Sequence, residues 1–178
     1  NIRIGNKKYL DKYNSYGLTT LKKEHLSLEK GKVVLKFRGK HRVMQEVVIK
    51  NKSITNFLQK MKELPEDWLM KYDGSDGRYY RVNAQDLNTF LHSLVGDGFS
   101  IKDYRTWGAN VAFVESLESL PLPTNEAQTK NNIREALRQT ASKLGNNVET
   151  SRKSYVMEYI VEQYTKKPSN KQLKRLLK

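Results

Sequence analysis

The stretch 100–110, Ser-Ile-Lys-Asp-Tyr-Arg-Thr-Trp-Gly-Ala-Asn, joins a helix start to two cations. Ser100 with Asp103 three residues on fits an N-cap and its acidic partner, and Ile101, Tyr104, Trp107, Gly108, Val111 and Ala112 recur at helical spacing. Lys102 and Arg105 then lie on the first turns, three apart on one side, where unpaired backbone N–H groups and the positive end of the helix dipole favour an anion. That is a phosphate site in outline, although the same pattern also describes an amphipathic helix with two solvated cations. A second cluster, Arg38-Gly-Lys40-His41-Arg42, falls at a hairpin tip closed by one glycine. So many cations repel one another unless an anion approaches, although lysine-bearing tips also serve solubility.

The elements that position these residues follow from periodicity and turn chemistry. A short helix carrying Lys7, Lys8 and Tyr9 ends near Asn14 and is broken by Tyr16-Gly17. Strands are predicted over 25–29, 33–37 and 43–49, separated by Lys30-Gly31-Lys32 and by the turn around Gly39, as an antiparallel meander. Ile54, Phe57, Leu58 and Met61 mark a helix ending before Pro65, and Trp68, Leu69, Met70 and Tyr72 lead to the loop 73–77. That acidic glycine loop is too short for an EF-hand. Asn83 and Asp86 cap a helix whose buried face is predicted to carry Leu87, Phe90, Leu91, Leu94 and Val95, with Gly96 past its end and His92 a surface or core residue. The helix from Ser100 runs to about Ser119, before Pro121 and Pro123. Thr124 is the expected cap of the next helix, which stops at Gly145. After Asn146 and Asn147, Ser151 is expected to open a helix holding Tyr155, Tyr159 and Ile160, and Leu173, Leu176 and Leu177 suit a terminal amphipathic helix. The class is α+β, mainly α, with a small three-stranded antiparallel sheet.

Across 178 residues, 33 Lys plus Arg stand against 19 Asp plus Glu, giving +14 at pH 7. Such a charge, spread along the chain, points to a polyanionic partner met by the folded body, with nucleic acid ahead of an anionic membrane. No cysteine is present, which excludes disulfides and thiolate metal sites and is compatible with a reducing compartment. No apolar run approaches a membrane span and no signal-peptide pattern opens the chain, so no membrane partner is expected. One domain is expected at this length, and Asn rather than Met at the first position reads as the start of a fragment.

Five stretches together resemble the catalytic domain of the poxvirus-like type IB DNA topoisomerases, a group with bacterial and giant-virus members. They are Arg3-Ile-Gly-Asn-Lys-Lys-Tyr9, Leu18-Thr-Thr-Leu-Lys22, Lys36-Phe-Arg-Gly-Lys40, Lys102-Asp-Tyr-Arg105-Thr-Trp-Gly108 and Ser151-Arg-Lys-Ser-Tyr155, in the family's order and with similar separations. The resemblance implies the helical DNA-breaking-rejoining fold shared with tyrosine recombinases. It covers residues 1–178 as the catalytic domain, with the family's small N-terminal clamp domain absent. It also implies duplex DNA as partner, a monomer, no cofactor and no metal. Location would be the bacterial cytoplasm at the nucleoid or, for a virus, the virion or host cytoplasm.

The resemblance further implies roles. Tyr155 would attack a DNA phosphodiester to leave a 3′-phosphotyrosyl link and a free 5′-hydroxyl. Arg3 and Arg105 would stabilise the transition state, Lys40 would be the general acid assisted by Lys102, and Lys8, Tyr9, Lys22, His41 and Arg42 would contact DNA. A phenol with a pKa of about 10 needs such a cationic pocket to act near neutrality. Forked donation to non-bridging oxygens suits arginine rather than lysine. The poxvirus enzymes place histidine nine residues before the tyrosine; here that position is Asn146, as in bacterial members, and an amide donates one hydrogen bond without charge. This implies a weaker contribution and a chain nearer the bacterial-like branch, with Asn147 as the neighbouring alternative. Two rival readings remain. A tyrosine site-specific recombinase usually carries His-x-x-Arg where this chain has Lys102-Asp-Tyr-Arg105. A non-catalytic basic DNA-binding module would use the same cations only to neutralise phosphates.

Overall fold

Alternating apolar residues and a two-residue turn build the sheet. In the computed structural model, which describes residues 2–169 with Leu173 and Arg175, strands β1 (Leu26–Glu29), β2 (Lys32–Arg38) and β3 (Met44–Ile49) pair antiparallel in that order. Lys30 and Gly31 both take positive φ, 44° and 79°, as the tight turn between right-twisted strands requires. The register sets Leu26 opposite Leu35, Leu35 opposite Val47 and Val33 opposite Ile49, so the strand period of two gathers these side chains on one face. There they join Leu21, Phe37, Leu58 and Leu69 in a core.

The described residues form two compact units, 2–98 and those from Phe99 onward, and each is taken by itself. In the first, α1 (Lys7–Tyr13) is capped by Asn6, whose Oδ1 accepts from Lys8 N at 2.8 Å, and closed by Asn14 in the left-handed conformation. Helix α2 (Lys52–Glu63) ends as expected before Pro65, with Leu58 and Thr55 buried but Ile54 and Phe57 exposed. Lys71, buried, donates its ammonium to the carbonyls of Leu64 and Glu66 just past that helix, satisfying oxygens that have no partner within it.

The sequence reading needs two corrections here. A second, two-stranded sheet, β4 (Lys71–Asp73) with β5 (Tyr79–Arg81), flanks the expected 73–77 loop, where the sequence reading named no strands, because three-residue strands are too short to show alternation. Its turn closes on an aromatic lid: a Cβ on Gly74 would lie 2.6 Å from the Tyr80 ring, and the Tyr80 hydroxyl donates to Asp76 at 2.7 Å. Helix α3 (Ala84–Val95) has the expected Asn83 and Asp86 cap, but its supposed buried face is open, with Phe90 64% and Leu94 65% exposed. The sheet, Leu58 and Leu69 already close the core of this unit, and no α3 side chain belongs to it.

His25 gives this unit an acid sensitivity. Its Nδ1 accepts from Lys22 N at 2.8 Å and its ring meets Tyr16 at 4.3 Å between centroids. Burial lowers its pKa from 6.5, and Glu24, 3.9 Å away, opposes that only in part. The unfolded chain therefore binds a proton that the folded chain resists. The stabilisation is full above about pH 6.5 and is lost as pH falls below it. The melting temperature is expected to drop between pH 7.5 and 5.5, with a shallower slope in His25→Gln, as read by circular dichroism.

In the second unit, α4 (Ile101–Glu118), α5 (Glu126–Leu144), α6 (Val148–Ser154) and α7 (Glu158–Lys166) pack around Phe113, Val114, Leu117, Ala136, Leu137, Val156, Ile160, Val161, Tyr164 and Leu173. Asn125 rather than Thr124 caps α5; its Oδ1 accepts from Gln128 N at 2.9 Å. The buried face of α4 also departs from expectation. Ala112 is buried as the spacing predicts, but Tyr104 and Trp107 are exposed while Ala109 is buried, because small side chains let α4 approach its neighbours closely. Among the described residues no helix is long and apolar enough to cross a membrane. Leu176 and Leu177 of the expected terminal helix lie outside the described residues.

Candidate active site

Tyr155 sits at a break between helices, not inside one. Asn147, not Ser151, caps α6, its Oδ1 accepting from Thr150 N at 2.7 Å, and the helix ends at Ser154. Tyr155 takes φ −133° and ψ −40°, and α7 starts only at Glu158. The break has a visible cause. Asn110, fully buried on α4, donates its Nδ2 to the Tyr155 carbonyl at 2.9 Å and accepts from Met157 N at 2.8 Å through Oδ1. Two backbone groups that a continuous helix would pair internally are thus held by one amide. Val156, buried, and Ile160 anchor the segment in the core, and Arg152 pairs with Glu158 across the break. Tyr155 itself is half-buried.

Arg105 faces this tyrosine. Its guanidinium carbon lies 5.5 Å from the Tyr155 ring centroid, within reach of a cation–π contact, and its Nη2 donates to the Leu144 carbonyl at 2.8 Å. That carbonyl is one of the α5 terminal oxygens that lack a helical partner. Gly145, in the left-handed conformation, turns the chain, and Asn146 follows, half-buried, its N–H donating to the Ala141 carbonyl at 2.9 Å. Asn147 spends its side chain on the α6 cap. At the start of α4 the Asp103 carboxylate accepts from both the N–H and the hydroxyl of Ser100, at 2.9 and 2.6 Å, and these bonds lower its pKa. Lys102 is exposed on that first turn. Within residues 99–178, then, Arg105 and Tyr155 meet, with the loop of Asn146 tied to the same arginine through Leu144.

The other predicted site residues belong to residues 2–98. Arg3 is half-buried in an extended segment; its carbonyl accepts from Leu18 N at 2.8 Å and that of Ile4 from Thr19 N at 2.7 Å. Two glycines permit this close approach: a Cβ on Gly17 would lie 2.5 Å from Gly5 N and 2.6 Å from the Arg3 carbonyl oxygen. Gly17→Ala must therefore shift the Arg3 backbone. It is expected to lower stability by about 1–3 kcal/mol, and to slow any reaction that Arg3 serves by at least tenfold at temperatures where the fold holds. Melting curves and single-turnover cleavage read the two effects. Lys8 and Tyr9 are exposed on α1, and Lys22, partly buried, pairs with Trp68. Lys40 and Arg42 are exposed on the one-turn helix 40–42 that links β2 to β3, and the side chain of His41 lies outside the described residues.

The sequence reading missed Asn110. Its only signal was a polar residue on a helix of otherwise apolar or small inward positions, and its partners, Tyr155 and Met157, are distant in sequence.

The family described as "Eukaryotic DNA topoisomerase I, catalytic core" matches residues 1–177. This chain belongs to that family. Among topoisomerase relatives, it is 35% identical over 176 residues to the DNA topoisomerase 1B of Acanthamoeba polyphaga mimivirus, covering 94% of this chain and 52% of the relative. It is 30% identical over 168 residues to the DNA topoisomerase 1B of Vaccinia virus (strain Western Reserve), covering 90% and 49%. A DNA topoisomerase 1 of Schizosaccharomyces pombe is 33% identical over 123 residues, covering 67% and 14%. The chain thus spans about half the length of the viral relatives. The motifs Lys102-Asp-Tyr-Arg105 and Ser151-Arg-Lys-Ser-Tyr155 both fall within the span matched by the topoisomerase core family.

Proposed function

We infer that this chain is the catalytic domain of a type IB DNA topoisomerase, which relaxes supercoiled duplex DNA through transient cleavage of one strand. The observation that carries the reading is the pairing of Arg105 with Tyr155 at a helix break locked by Asn110. A tyrosine serving only as packing needs neither a neighbouring guanidinium nor a dedicated backbone clamp. In the proposed cycle the Tyr155 Oη bonds to phosphorus and the bond to the 5′-oxygen breaks. The tyrosine proton passes to solvent water, and Lys40, assisted by Lys102, supplies one to the departing oxygen. Arg3 and Arg105 hold the non-bridging oxygens, with Asn146 adding one neutral donor; each such donor is worth about 100- to 1000-fold in rate. Because the phosphotyrosyl ester conserves the energy of the broken bond, rotation and religation need no nucleotide triphosphate. Fixed cations do the electrostatic work that a metal does elsewhere.

Lys8, Tyr9, Lys22, His41 and Arg42 would hold neighbouring phosphates with loose sequence preference, the mode expected of backbone contacts. A monomer is proposed as the acting species, as the resemblance implies. Incubation with supercoiled plasmid in EDTA tests the reading. Relaxed topoisomers on a gel support it, whereas plasmid that stays supercoiled, even with a preceding clamp domain supplied, leaves a DNA-binding module. A recombinase would instead join two partner duplexes without relaxing plasmid in steps.

A further inference from the structure

A solvent-open pocket of about 490 Å³ is lined by Tyr9 and Tyr13 of α1, by Ser15, and by Lys40 and Arg42 of the β2–β3 link. Tyr9 and Tyr13, four residues apart on one helix face, stack with centroids 6.0 Å apart and 27° between planes. They remain 57% and 45% exposed, so core packing does not explain them. Lys12 Nζ lies 5.2 Å from the centre of the Tyr13 ring. On the opposite wall Arg42 takes φ 61°, a left-handed conformation that glycine or asparagine adopts with less strain. Gly39 lets the link close tightly, since a Cβ there would lie 2.8 Å from Gln45 Cγ. The backbone is thus held in a strained turn, with Lys40 and Arg42 both on the pocket lining.

Exposed aromatic faces beside paired cations are the composition of sites that hold single-stranded nucleotides, the rings taking the base and the cations the phosphate. Size argues the same way. A bare phosphate, a few times the ~30 Å³ share of a water molecule, would leave most of the pocket empty. We propose that this pocket is a nucleotide subsite, which takes one unstacked deoxynucleotide of the bound DNA with its base against Tyr9 and Tyr13 and its phosphate on Lys40 and Arg42. The inference rests on the DNA reading above and deepens it. Unstacking a base is unfavourable, and stacking on the tyrosines offsets that cost. Seating the nucleotide would also draw Lys40 onto the DNA only when substrate is present.

The test is a heteronuclear NMR titration of the 178-residue chain with deoxyadenosine monophosphate and, separately, inorganic phosphate. The nucleotide is expected to bind at least about tenfold more tightly than phosphate, with shifts at Tyr13 and Ser15. Tyr13→Ala should bring the two affinities together, and Tyr13→Phe, which keeps the ring, should preserve the preference; dispersed spectra confirm that both variants fold. In parallel, 2-aminopurine placed along a duplex should brighten on binding at one position with the native chain and not with Tyr13→Ala. Equal affinities for nucleotide and phosphate, or a preference that survives Tyr13→Ala, overturns the proposal. Covalent-adduct formation is measured on the same samples. An adduct without a nucleotide preference removes the subsite alone, whereas a preference with no adduct, even when a preceding clamp domain is supplied, supports the subsite and removes the topoisomerase reading.

Discussion

Tyr155→Phe is expected to abolish covalent capture of DNA, with no residual adduct after SDS quenching, while duplex binding stays within about twofold. The change deletes one oxygen. The ring that lies beside Arg105 remains, as do the Asn110 bond to the residue-155 carbonyl and the Val156 anchor, so stability should change by no more than about 1 kcal/mol. In the proposed reading binding rests on the +14 charge and phosphate contacts, neither of which involves the phenol. Filter binding and SDS gels on one preparation read both quantities. An adduct that persists would move the nucleophile elsewhere.

Asn110→Leu should have nearly as large an effect without touching a reacting atom. The substitution keeps the side-chain volume but strips the donor from the Tyr155 carbonyl and the acceptor from Met157 N, inside a site with no solvent to replace them. Each orphaned buried group costs about 1–3 kcal/mol, so for the two a loss of roughly 2–6 kcal/mol is expected by chemical denaturation. The kinetic effect separates positioning from simple destabilisation. Well below the melting temperature, a Tyr155 backbone displaced by ~1 Å should slow single-turnover cleavage by about a hundredfold while leaving DNA affinity unchanged. Asn110→Asp, which keeps the acceptor for Met157 N–H but loses the donor to Tyr155, should fall between. If Asn110→Leu cleaves at the native rate while folded, Asn110 does not position the tyrosine.

Much of this architecture was legible in the sequence because local rules govern it. The Lys30-Gly31 turn, the Asn83 and Asp86 cap and the Ser100 and Asp103 pair each depend on neighbours a few residues apart, and the structure has them where periodicity and turn chemistry placed them. The errors came from long-range competition. Periodicity marked α3 as amphipathic, but whether Phe90 and Leu94 are covered depends on where the core closes, which no local pattern encodes. Continuous helical spacing through Tyr155, Tyr159 and Ile160 suggested one helix, yet an amide from α4, 45 residues earlier, breaks it. The site was readable in part for the same reason. Arg105 and Tyr155 stand in recognisable stretches, whereas Asn110 and Gly17 act only through segments remote in sequence that they touch.

The most direct test of the account is to map the covalent bond. A duplex cut on a strand labelled on either side of the break is trapped with SDS, digested with protease and nuclease, and the modified peptide sequenced by mass spectrometry. The account predicts a nucleotide attached through its 3′-phosphate to Tyr155, with a free 5′-hydroxyl on the released strand. Attachment through a 5′-phosphate, or to any other residue, would contradict it.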